Sequence, residues 1–439
     1  MESLCNFVLA IFIVRNFIDS ILEMTNCLLK NITILDKTSN YFGEKVDILL
    51  ENNRIEKIEK SIVNDNIDNY DFQGCCCAPA FCDLNVTVGD PGFEYREDIV
   101  SIANAALNGG FSTICVTADN HPISQTKAQI EYILNRSKEV PIHILPIGAV
   151  TENFDGKSPS EMLDMQYAGA IAFSDIPHNI KNSGVLMRAL QYTQPFDGLV
   201  IDMPFDATLV GEGQVNESEV SVRMGMKGIS NLSEYVAVQR DIEILKYAGG
   251  KLHLSGISTK ESVDLIRRAK TKNLHITCAV FVHHLISDEE NVQSYDANYK
   301  VFPPLRTKED QQALIDGLKD GTIDCISTQH TPLSIDEKNI EFEYAMNGMI
   351  GLESAFGLLY KRLEKEISKE KLIELLAVNP RNLIKQNKST DFVILDFEEV
   401  YTFSKKEIHS KSYNTPYIGN ELKGKVKAVY AKGILHINK

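Results

Sequence analysis

Between residues 80 and 330, short apolar runs recur and alternate with segments whose apolar residues return every three or four positions. The runs cover 81–88, 114–117, 143–150, 170–173, 199–202, 252–255, 275–280 and 325–328. Helical spacing fills the intervals, for example over 259–270 and 308–319. A strand that is apolar on both faces is buried on both faces, and such strands alternating with helices form a parallel sheet. Eight of them predict an α/β fold, a (β/α)8 barrel of the TIM type. The two ends of the chain read differently. Alternating apolar and polar positions at 28–35, 46–50 and 54–58 reappear at 391–396 and 426–437, between Asn and Gly turns. These segments predict a small β-sandwich domain built from both termini. The expected boundaries are an extension at 1–23, a composite β domain from 24–78 with 387–439, and a barrel over 79–386. No internal repeat or low-complexity segment interrupts the pattern.

Composition narrows the function more than the fold. The 439 residues carry a net charge of −15, which excludes a nucleic-acid partner because phosphate binding needs a basic stripe. The apolar stretch 4–14 falls short of the roughly 20 residues of a membrane span. It also lacks a basic flank or a small-residue cleavage site. Residues 1–23 therefore read as a product of start-codon choice, with a weak amphipathic anchor or degenerate signal as the alternative. Nine cysteines, three of them consecutive at 75–77, show no zinc-ribbon spacing. Adjacent residues of a strand point to opposite faces, so the three read as small packing residues of a cytoplasmic protein.

In a barrel of this type the chemistry sits at the C-terminal ends of the strands. The stretch 79–98 holds the first of these ends: a strand, a Gly/Pro turn and a helix start. It resembles the first barrel strand of type I dihydroorotases, in the amidohydrolase superfamily, which runs Asp-x-His-x-His-x-Arg. The resemblance covers 24–439. It includes 90–98, 106–113, 168–175, 215–221, 296–306, 320–324, 348–355 and the tail 412–417. It implies zinc-dependent, reversible hydrolysis of the cyclic amide dihydroorotate to carbamoyl-aspartate.

Carried over position by position, the resemblance finds the frame without its chemistry. The family's metal histidines fall on Asn85, Thr87, Met203 and Gly256, and its aspartate ligand and general base falls on Gln329. The substrate arginine falls on Gly89, and substrate-contacting asparagines fall on Asp119 and Phe302. Of two successive aspartates only Asp175 remains, followed by Ile176. Zinc takes imidazole, thiolate or carboxylate donors, and without it water keeps a pKa near ~15.7 rather than ~7. No metal, cofactor or catalytic residue is therefore expected.

Asp175, Asp202 and His330 remain as a residual pocket. His253, His283 and His284 read as structural histidines. Lys300 and Arg306 read as loop-fixing residues, and Asp202 and Asp206 as pocket lining or helix caps. The resemblance implies an oligomeric, non-catalytic partner of aspartate transcarbamoylase, the preceding enzyme of pyrimidine synthesis. Two other readings stand beside it: a divergent cyclic-amide hydrolase with a rebuilt or metal-free site, and a small-molecule-binding regulator.

Overall fold

Eight parallel strands lie side by side in chain order: Phe81–Val86, Phe111–Val116, His143–Gly148, Ala172–Ser174, Val200–Asp202, Leu252–Ser255, Ile276–Phe281 and Cys325–Ser327. Each falls on one of the eight apolar runs. The sheet comes from a computed structural model that describes residues 26–438, so the reading of 1–23 lies outside the described residues. The first strand is buried at every position, as its unbroken apolar pattern requires. It meets the segment just after the last strand through a parallel bridge between Val86 and His330, with the Thr87 N–H donating to the His330 carbonyl at 2.9 Å. The barrel is thereby closed.

Helices follow the strands on the outside, and their ends are written in the sequence. Asp98 caps Ile99–Gly109 by accepting from the Val100 and Ser101 N–H groups. Gly110, at φ 92°, ends that helix; a Cβ there would sit 2.8 Å from the Phe81 ring. The turn therefore packs directly on the first strand. Thr259 caps Lys260–Lys270 and Thr307 caps Lys308–Asp320, close to the predicted limits. Ser218 starts Glu219–Met224 with a capping box.

Strands from both ends of the chain form a second eight-stranded sheet. Cys76–Pro79 joins them, pairing with Cys27–Ile34 on one side and Phe392–Thr402 on the other. Cys75 and Cys77 are buried in its apolar core with Leu29, Ile48, Ile394 and Tyr430, while Cys76 is half-buried. The alternation of faces is the one expected of consecutive strand residues. Two strands of this sheet were not anticipated. Asp68–Asp71 is Asp-Asn-Tyr-Asp, and it is recruited by pairing with Cys27–Lys30 rather than by any apolar pattern of its own. Cys76–Pro79 is too short to show a period. Among the described residues no helix is long and apolar enough to cross a membrane.

Asp83 secures the barrel closure. Its carboxylate, fully buried, accepts from the Asn85 N–H at 2.9 Å and from both the N–H and the hydroxyl of Thr328, the N–H at 2.9 Å. Burial raises its carboxyl above the ordinary value, against the pull of these bonds. Asp83→Ala strands two buried backbone donors, each costing about 1–3 kcal/mol. Urea unfolding of the variant is expected to show a loss of about 3 kcal/mol; a loss below about 1 kcal/mol contradicts this role.

Candidate functional site

The strand ends converge on a packed interior. Asn85, 2% exposed, donates from Nδ2 to the Ser255 hydroxyl at 3.2 Å. The Thr87 hydroxyl lies 3.3 Å from that of Thr117 and 3.4 Å from Asp119 Oδ2. Thr117 in turn donates to Asp119 Oδ1 at 2.6 Å. Asp119 is thus held by hydroxyls from the ends of the first two strands, and burial raises its carboxyl above the ordinary carboxylate range. Met203 is 1% exposed, in an apolar cluster with Leu84, Ile201 and Phe281; Phe205 and Phe302 pack against it from the rim. Phe205 and Phe302 meet edge to face at 4.6 Å.

Two glycines define the backbone of the site. Gly256 has φ 77°, and a Cβ there would lie 2.3 Å from Cε2 of Phe281. Gly89 is covered from the other side: the Phe93 N–H donates to its carbonyl, and a Cβ would lie 2.2 Å from the Phe93 carbonyl oxygen. Neither position accepts a side chain unless its surroundings move.

Gln329 sits at φ 51° and donates from Nε2 to the Phe302 carbonyl at 2.8 Å, leaving its buried Oε1 without a partner among the described residues. His330 accepts from the Gly351 and Leu352 N–H groups at Nδ1, at 3.1 and 3.3 Å. Its proton therefore belongs on Nε2, 3.7 Å from Glu97 Oε2. His330 anchors the loop that follows the last strand.

The carboxylates Asp175 and Asp202 are committed to backbone. Asp175 accepts from the Val150 and Thr151 N–H groups at 2.8 and 2.9 Å and from the Thr151 hydroxyl at 2.6 Å. Burial pushes its carboxyl up to about 6. Asp202 accepts from the Ile180 N–H at 2.8 Å and faces Arg240 at 3.4 Å. Arg240 also donates to Asp241, whose carboxyl is raised by burial and by the charge of Asp202. Asp206, not Asp202, caps the short helix Ala207–Val210.

The structural histidines sit largely as expected. His253 is fully buried with Nδ1 2.9 Å from the Thr277 hydroxyl, and burial pulls it down to about 3. His284 Nε2 meets the Pro303 carbonyl at 3.0 Å. Each of the three keeps one buried ring nitrogen without a partner among the described residues: Nε2 of His253, Nε2 of His283 and Nδ1 of His284. Lys300 holds the Phe342 and Glu343 carbonyls, and Arg306 holds Ser258, Asn216 and the Ile229 carbonyl. Both lock loops. Among the described residues no three His, Cys, Asp or Glu side chains form a group able to hold a metal ion. Sequence reasoning missed Phe281 and the Arg240–Asp241 pair. The only signal for Phe281 was an aromatic residue ending an apolar run.

Comparison with known proteins fixes the lineage. A family model described as Dihydro-orotase-like matches residues 74–262. The dihydroorotase of Caldicellulosiruptor saccharolyticus is 38% identical over 92% of this chain and 97% of its own. That of Geobacter metallireducens is 35% identical over 91% and 96%. The chain belongs to the dihydroorotase family. Among solved structures, the L-hydantoinase (dihydropyrimidinase) from Arthrobacter aurescens superposes with a TM-score of 0.81 at 20% identity, covering 95% of this chain and 97% of that one. At that identity the match shows the shared fold: a barrel of parallel strands with a separate sheet from the termini.

The buried Asp175 gives this dihydroorotase-family barrel a pH signature. Its proton is held more tightly in the fold than in the unfolded chain. Stability therefore falls as pH rises from about 4 to about 6, and this contribution is constant above that. A proton held that much more tightly in the fold corresponds to about 3 kcal/mol. Asp175→Asn removes the titration, so the stability difference from wild type should move in the variant's favour by that amount between pH 4 and pH 7. Parallel pH profiles for the two proteins would contradict it.

Proposed function

We propose that this chain is a non-catalytic dihydroorotase-family protein of pyrimidine biosynthesis that acts as a partner of aspartate transcarbamoylase. The observation that carries the reading is the Phe281 ring, which fills the space that a side chain on Gly256 would enter. A histidine cannot be accommodated there while that ring stays in place. The family's zinc does not fit the side chains present. Asn85, Thr87, Met203, Gly256 and Gln329 offer neither imidazole, thiolate nor carboxylate, and Met203 is sealed in an apolar cluster.

Three requirements of cyclic-amide hydrolysis fail by separate routes. A hydroxide at neutral pH needs a Lewis-acid site. A general base needs a side chain that takes up a proton, and the Gln329 amide does not. A carboxylate clamp needs an arginine, and the covered backbone at Gly89 leaves no exit for one. The rebuilt-site alternative is disfavoured because Asp175 and Asp202 spend their oxygens on backbone N–H groups, Thr151 and Arg240. A protein without the chemistry is retained for its surface. Oligomeric assembly in the cytoplasm with the transcarbamoylase is what the family resemblance implies.

Two experiments test the reading. Tagged full-length chain, purified at native levels from its own cells, is expected to bring down aspartate transcarbamoylase in fixed ratio; its consistent absence would remove the partner assignment. Pure protein carrying N85H, T87H, M203H, G256H and Q329D together is expected to bind less than about 0.1 zinc per chain unless Phe281 is also shortened to alanine. Stoichiometric zinc in the fivefold variant with Phe281 intact would overturn the packing claim.

A further inference from the structure

Loops following the first, seventh and last barrel strands and the tail segment before the final strands enclose a cleft of about 760 Å³ on the rim of the barrel. That volume lies within the range of small-molecule sites. It is lined by Tyr95, Tyr295 and Tyr413, by Lys338, Lys405 and Lys411, and by one carboxylate, Asp296. The arrangement is unusual in a chain whose net charge is −15. Lys338 is 7% exposed, and its ammonium meets only the Met346 and Lys300 carbonyls, at 2.9 and 3.3 Å. Lys300, 4% exposed, lies next to it, meets the Phe342 and Glu343 carbonyls at 2.8 Å each and stands 5.5 Å above the Phe342 ring. Neither lysine makes an ion pair among the described residues. A buried ammonium without a counter-charge is costly. Burial and the Lys300 charge accordingly pull Lys338 down to about 7, and burial pulls Lys300 down to about 8.

Carbonyl dipoles satisfy two of the three N–H bonds of each ammonium; the nearest opposite charges, Asp296 for Lys338 and Glu343 for Lys300, act from a distance without forming an ion pair. Across the cleft Lys405 is also unpaired and stands 5.6 Å above the Tyr413 ring. Lys411 is different, since Asp98 already neutralises it. The three tyrosines are 62%, 50% and 50% exposed, although they line a concavity. Large rings left open in a cleft beside unneutralised cations match a ligand with a flat apolar body and an anionic end.

We propose that this rim cleft binds a small organic anion bearing a planar ring, with the anionic group on Lys338 and Lys405 and the ring against the tyrosines. The site is separate from the packed barrel interior and is independent of the transcarbamoylase reading. An anion seated there supplies the counter-charge that the buried lysines lack, and it ties the rim loops together.

Titration calorimetry on the full-length protein tests this with four probes: phenyl phosphate, benzoate, inorganic phosphate and benzyl alcohol. Saturable binding of phenyl phosphate or benzoate with a Kd below about 1 mM is expected, at least about tenfold tighter than either inorganic phosphate or benzyl alcohol. The tighter of the two aromatic anions tells whether the natural ligand is a phosphate or a carboxylate. Lys405→Glu, at an exposed position, should weaken binding at least about tenfold without changing Tm, and Lys338→Met should do the same if it folds. The proposal is overturned if neither aromatic anion binds saturably, if the ring or the charge alone binds as well, or if Lys405→Glu leaves Kd unchanged.

Discussion

Everything at the strand ends depends on how the first strand is joined to the last. The join is made by one buried carboxylate. Asp83 reaches across to both donors of Thr328 and also turns back on Asn85. One residue further on, the Val86–His330 bridge continues the pairing, and His330 then anchors the start of Leu352–Leu363 through Nδ1. A barrel has no free edge only if this seam holds. The seam also sets where the chain leaves the first strand. From there Gly89 passes under the Phe93 carbonyl, and Glu97 lies against His330 and Ser410. The closure uses residues that sit beside the catalytic positions of the family, so it can persist when those positions change.

The changed positions were absorbed as packing. Met203 joins Leu84, Ile201 and Phe281, with Phe205 and Phe302 covering them at the rim. Apolar groups buried in this way favour the fold. The polar groups that stay are each matched to a near neighbour: Asp119 to two threonines, Asp175 to two N–H groups, and Asp202 to an N–H and an arginine. Raised carboxyls in such places follow from burial, which also occurs at active sites; here their partners are structural.

Much of this was legible in the chain. The eight barrel strands announce themselves because a strand buried on both faces has no polar alternation to confuse it. The helix starts at Asp98, Thr259 and Thr307 were legible because a cap is a local bond between a side chain and the next turn. Asp68–Asp71 was not, since it is a strand only through its partner. At the site, the identity of each replaced residue could be read, but its consequence could not. Gly256 is simply a missing histidine in the sequence. In the fold it is a left-handed residue against an aromatic ring that comes from the next strand. Long-range packing of that kind leaves no local signature, and the same holds for the cleft lysines, which come together from separate loops.

The most direct test of the central claim is turnover. Pure full-length protein, with zinc added, is assayed for hydrolysis of dihydroorotate and for the reverse cyclisation of carbamoyl-aspartate. The account predicts no rate above background in either direction. Zinc-dependent turnover in either direction would contradict it, because the chain would then hold a ligand set that Asn85, Thr87, Met203, Gly256 and Gln329 do not provide.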